Sequence, residues 1–81
     1  MKARVYVSLK RTVLDPQGQA VRAALVGLGH AAISDVRQGK FFDIAIADGV
    51  SRDQAQKDIE TIAHEVLANP VIEEYRVELF D

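Results

Sequence analysis

Residues 39–63 read GKFFDIAIADGVSRDQAQKDIETIA, and the fold class turns on a change of period in the middle of that stretch. Phe42, Ile44 and Ile46 alternate with Asp43 and Ala45, the two-residue period of a strand with one buried face. Beyond Asp48-Gly49 the apolar spacing lengthens to that of a helix, with Ala55, Ile59, Ile62 and Ala63 followed by Val66 and Leu67 on one stripe. Ser51 and Gln54 have the spacing of a capping box, in which the serine hydroxyl accepts from the Gln54 N–H and the glutamine side chain answers. Asn69-Pro70 is the expected stop, because Asn tolerates a left-handed turn and Pro cannot continue a helix.

The segments on either side complete a pattern. Val5, Val7 and Leu9 alternate with Tyr6 and Ser8, which predicts a first strand over Ala3 to Leu9. Asp15-Pro16 opens a helix, since Asp accepts from orphan N–H groups of the first turn and Pro at the first helical position sacrifices no bond. That helix is expected to run to about Leu28, with Val21, Ala24, Leu25 and Leu28 facing inward and Gly29 ending it in a left-handed conformation. Ala32 to Arg37 is read as a second strand of weaker pattern, because Ile33 and Val36 have opposite parity; Gln38-Gly39 then turns it back along the third. In the last strand Tyr75, Val77 and Leu79 share one face, and Glu74, Arg76 and Glu78 the other. The order is β-α-β-β-α-β, an α+β, ferredoxin-like arrangement with a four-stranded antiparallel sheet and two helices on one face. Residues 1–81 form a single domain in this reading, with the second sheet face left open.

Composition narrows the chemistry. A chain of 81 residues buries a modest core, and domains of this size lean on disulfides, metals or oligomerisation. There is no cysteine, which removes a disulfide framework, thiolate metal sites and a Cys nucleophile, and two histidines in separate segments make a poor metal set. Oligomerisation is therefore the expected support. The net charge of -2, with acids and bases interspersed, gives no basic field for a phosphate backbone. The first residues enter strand pattern directly and no stretch approaches the ~18 apolar residues of a membrane span, so the cytosol is the expected compartment.

Individual residues offer few catalytic readings. Tyr6 and Phe41 fall on the open sheet face where some RNA-binding modules stack bases, and Gly39-Lys40-Phe41 faintly echoes their motif, but Asp43 and the acidic residues of the last strand share that face. His30 follows a helix end and His64 lies beside Glu65, neither with a nucleophile and base around it. Glu73 and Glu74 point to opposite faces of a strand and form no carboxylate pair. The start of the first helix, near Lys10 and Arg11, could hold an anion, except that Asp15 occupies the cap. No catalytic, cofactor or metal residue is expected.

Four blocks together resemble a known family: Val13-Leu14-Asp15-Pro16-Gln17-Gly18-Gln19-Ala20-Val21, Leu28-Gly29, Val36-Arg37-Gln38-Gly39-Lys40, and Leu67-Ala68-Asn69-Pro70-Val71-Ile72-Glu73-Glu74-Tyr75. In order and spacing they are similar to the PurS subunits of phosphoribosylformylglycinamidine synthase. The resemblance implies a small subunit without an active site, in an enzyme whose glutaminase subunit releases ammonia and whose large subunit uses ATP and Mg to aminate formylglycinamide ribonucleotide in purine biosynthesis. It further implies docking to both subunits, with ATP and Mg used by the complex and not bound by this chain; self-association as a dimer or tetramer is expected from the thin core, the open sheet face bearing Tyr6 and Phe41 and the free edge strands. Cap and turn chemistry explains much of the four blocks, yet leaves over the polar side chains of Gln17, Arg37, Lys40 and Asn69, which with Tyr6 and Phe41 are the expected partner contacts. The alternative from another functional class is an ACT-like regulatory domain that senses a small ligand at a dimer interface.

Overall fold

Strand β1 (Lys2–Leu9) lies at the centre of an antiparallel sheet, with β2 (Gly39–Ala45) on one side and β3 (Glu73–Phe80) on the other, in the computed structural model of residues 1–81. The register pairs Val5 with Phe42 and with Val77, so the alternation seen in all three segments brings their apolar residues to one face. Val5 and Val7 are fully buried there, each contributing on the order of 1.5–3 kcal/mol of burial energy. Helix α2 (Arg52–Ile62) covers this inner face through Ala55 and Ile59, and the core is completed by Ala3, Ala63 and Ala68. No helix is long and apolar enough to cross a membrane.

Local signals behave largely as their chemistry demands. The Ser51 hydroxyl accepts from the Gln54 N–H at 3.2 Å, but the Gln54 side chain turns forward to Asp58, so only half of the capping box forms. Helix α1 (Pro16–Gly27) has Asp15 as its cap, and Gly29 follows its end with a φ of 98°. Helix α2 passes into one π-helical turn, Ala63–Leu67, closed by the Ala68 N–H donating to the Ala63 carbonyl. Asn69 then ends the run differently from expectation: no residue except Gly29 and Gly49 has positive φ. In place of a left-handed cap, the Asn69 carbonyl accepts from Ile72 and Glu73, and its side-chain oxygen accepts from Val71 at 3.1 Å.

Two parts of the ferredoxin-like expectation are corrected. The sheet has three strands, because Ala32 to Arg37 runs unpaired. Its backbone is used elsewhere: the Gln38 N–H donates to Asp15, and the Val36 carbonyl lies against Gly18. Nor do two helices cover one face, for α1 stands away from the sheet with Val21, Val26 and Leu28 exposed. The molecule measures 51 × 26 × 14 Å with a radius of gyration of 16.3 Å, against about 12 Å for a compact chain of this length.

Candidate functional site

Asp15 is the pivot of the most organised polar cluster. One carboxylate oxygen accepts from the Gly18 N–H at 2.9 Å and the other from the Gln38 N–H at 2.7 Å, so a single side chain fastens the start of α1 to the start of β2. Asp15 is 4% exposed, and these two backbone donors, Gln38 foremost, hold its pKa below the ordinary 3.8. Gly18 allows the approach, since a methyl group there would collide with the Val36 carbonyl oxygen and lie 2.8 Å from Asp15 Oδ2. Arg37 reinforces the same junction by donating to the Lys10 and Val13 carbonyls, each at 2.9 Å.

Beside this clasp lies a cleft of about 300 Å3 lined by Asp15, Gln17, Gln38, Lys40 and Glu73 along with the end of β1. Lys40 lies on the inner side of β2 with its ammonium 5.7 Å from the centre of the Phe42 ring. Glu73 opens β3 and accepts from the Asn69 N–H at 2.7 Å, tying the end of the second helix to the cleft wall. Gln17 and Lys40 thus line one cleft directly, and Arg37 and Asn69 brace it from behind. Both signs of charge face the cleft, which suits a polar protein segment better than a simple anion.

Tyr6 and Phe41 are elsewhere, paired across β1 and β2 on the outer sheet face with ring centres 6.4 Å apart. Sequence reading identified these two and missed the cations stacked on them. Arg76 sits 4.1 Å from the centre of the Tyr6 ring and Arg4 sits 4.6 Å from that of Phe41. Arg4 also pairs with Asp43 opposite it, Nε to Oδ1 at 2.7 Å, and this hydrogen bond raises its already high pKa. Arg76 bonds Glu78 at 3.0 Å. The signal for these contacts was present in the strand parity: Arg4, Tyr6, Asp43, Arg76 and Glu78 all belong to the outward set. The second half of the Asp15 clasp had no such signal, because it joins residues 23 positions apart.

His64 meets the Tyr75 ring edge-on, with centres 6.2 Å apart. No three His, Cys, Asp or Glu side chains are gathered as a metal site.

Residues 2–81 match the family model described as PurS, phosphoribosylformylglycinamidine (FGAM) synthase. The chain belongs to the PurS family. It is 47% identical over 76 residues to the phosphoribosylformylglycinamidine synthase subunit PurS of Mycobacterium leprae, a match covering 94% of this chain and 91% of that one. With the corresponding Bacillus subtilis subunit it shares 42% identity over 82 residues, covering 96% and 90% of the two chains. The solved structure of B. subtilis PurS superposes with a TM-score of 0.86 over 99% of this chain and 98% of that chain, at 41% identity. The α+β fold of two helices and a three-stranded antiparallel sheet is therefore shared with a solved relative. A chain in the structure of PurLQS from Thermotoga maritima superposes with a TM-score of 0.85 at 26% identity, over 95% of this chain and 93% of that one.

Proposed function

We propose that this chain is the small, non-catalytic subunit of phosphoribosylformylglycinamidine synthase in de novo purine (IMP) biosynthesis, docking the glutaminase subunit to the ATP-dependent synthetase subunit and supporting ammonia transfer between them. The observation that carries the proposal is the likeness, over 95% of the chain, to a chain of the T. maritima PurLQS structure. The geometry agrees with a connecting role. An elongated molecule offers two surfaces of different character: the cleft with Gln17 and Lys40, braced by Arg37 and Asn69, and the outer face with Tyr6 and Phe41.

The chemistry explains why a connector matters. At neutral pH ammonia in water is mostly ammonium, which has no lone pair for attack. Transfer between subunits therefore needs a closed, water-excluding route or close docking of the two sites. A subunit that fixes the two active sites relative to one another supplies this without acid, base or nucleophile of its own. ATP and Mg belong in this scheme to the synthetase subunit, the cytoplasm is the compartment, and the free chain associates with itself as a dimer or tetramer.

The test is assembly. Purified synthetase and glutaminase subunits are sedimented together with and without this chain, in the presence of glutamine and ATP-Mg. A joint complex that forms only when the chain is present is expected; co-sedimentation of the two large partners to the same extent without it contradicts the docking role.

A further inference from the structure

Two opposite charges face the cleft at the end of β1 without pairing. Lys40 of β2 lies opposite Val7 and Glu73 of β3 lies opposite Leu9, both on the inner side of the sheet. The ion pairs of the molecule are Arg4–Asp43, Arg52–Asp81 and Arg76–Glu78, so neither residue has a charged partner. Strand β1 runs between them and sets their backbones about 10 Å apart, two strand spacings. Glu73 is oriented by the Asn69 N–H, which donates to one of its oxygens at 2.7 Å and leaves the other free. The Lys40 ammonium rests 5.7 Å from the centre of the Phe42 ring.

Two side-chain amides line the same cleft, also unused. Asp15 places them, because its carboxylate accepts from the N–H of Gly18, next to Gln17, and from that of Gln38. In other parts of the chain such amides are engaged: Gln54 donates to Asp58, Gln56 donates to Glu60 and Asn69 accepts from Val71. The Gln17 and Gln38 amides make no bond of this kind, and both open onto the cleft. Each Asp15 oxygen already accepts a backbone N–H, so Glu73 supplies the free acceptor.

We propose that this cleft binds a free α-amino acid bearing a side-chain amide, of which glutamine is the example. Its ammonium donates to Glu73, its carboxylate accepts from Lys40, and its amide exchanges hydrogen bonds with Gln17 and Gln38. The charge pattern selects a zwitterion. A simple anion meets Glu73 and a simple cation meets Lys40, and like charges brought together disfavour both. A charge-assisted contact of about 2.7–2.9 Å at each end, with the ligand between, spans the interval that keeps Lys40 from Glu73. The volume of about 300 Å3 lies at the lower limit of ligand pockets and suits a small metabolite better than a nucleotide. A site of this kind makes the chain responsive to the supply of an amide amino acid without giving it any part in chemistry.

Every group in the cleft belongs to this chain, so the test needs no other subunit and is independent of the docking role proposed above. The full chain is titrated with glutamine, and the amide resonances of Gly39 and Lys40 are followed by NMR. N-acetylglutamine, which lacks the ammonium, and glutamine amide, which lacks the carboxylate, are the matched controls. Saturable shifts with glutamine are expected, weakened at least about tenfold for either control. Glu73→Gln keeps an acceptor for the Asn69 N–H and removes only the charge. It is expected to weaken glutamine at least about tenfold while leaving N-acetylglutamine unchanged, and Lys40→Gln is expected to do the same for glutamine while leaving glutamine amide unchanged. Unaltered spectra away from the cleft show that both variants are folded, and Gln17→Leu replaces either one that is not, with the loss then expected for glutamine but not for norleucine. No saturable shift up to about 10 mM glutamine overturns the proposal. So do equal binding of the two controls, variants that bind glutamine as the unmodified chain does, and variants that weaken only the attachment of a partner subunit.

Discussion

Asp15 shows how much one residue can hold in this molecule. Its carboxylate accepts two backbone N–H groups from distant segments, and its pKa is lowered chiefly by the one from Gln38. A carboxylate with a depressed folded pKa stabilises the fold fully above its unfolded value and loses that contribution as pH falls through the lower, folded one. Asp15→Asn is expected to lower the melting temperature at neutral pH by a gap that stays constant down to about pH 5 and narrows below the ordinary 3.8. Thermal denaturation of both proteins from pH 2 to pH 7 measures it, and a gap independent of pH would show that the carboxylate charge is not used. Gly18→Ala tests the same junction from the other side. In an unconstrained helix the change would stabilise by up to about 1 kcal/mol. Here the new methyl meets the Val36 carbonyl, so a net loss of about 1–3 kcal/mol in denaturant unfolding is predicted. A gain would mean that the loop yields freely.

At the scale of elements, the turn after the second helix carries the clearest prediction. Pro70 follows Asn69 in a turn whose Asn69 carbonyl accepts from Ile72, the position at which a fixed proline φ is favourable. Pro70→Ala should cost about 0.4–1 kcal/mol through the entropy of the unfolded chain. Asn69→Ala loses one bond to Val71 and should cost about 0.5–1.5 kcal/mol. Full stability in both variants with lost binding to the synthetase subunit would make the pair an interface motif in place of a turn. The three strands and both helix starts were legible because strand parity and capping act over a few residues. Asn69 was misread because two ways of ending a helix, a left-handed cap and an Asx turn, use the same residue type. Ala32 to Arg37 was misread for a physical reason visible in its own pattern. With Ile33 and Val36 out of phase it cannot offer one face to the core, and Gln38 and Val36 are drawn to the Asp15 clasp instead.

For the whole molecule, the stripe on α1 marks an apolar face without showing how far from the sheet the helix stands. Sequence periodicity is blind to that distinction, which is why a compact two-layer domain was expected and a 51 Å arm-bearing one was found. The candidate site was legible to a similar depth. Gln17 and Lys40 meet at one cleft, and Tyr6 and Phe41 meet on the outer face, but the separation of these two surfaces depends on the arm and the sheet order. The proposed connecting role between two larger subunits rests on that separation. The measurement that bears on this role most directly is the amination rate of the reconstituted synthetase and glutaminase subunits, with and without this chain, using glutamine or high external ammonia as the nitrogen source. Leaving the chain out is predicted to abolish most of the glutamine-dependent rate and to spare the ammonia-dependent one, since the latter needs only the synthetase ATP site; equal loss with both sources, or loss with neither, would contradict the account.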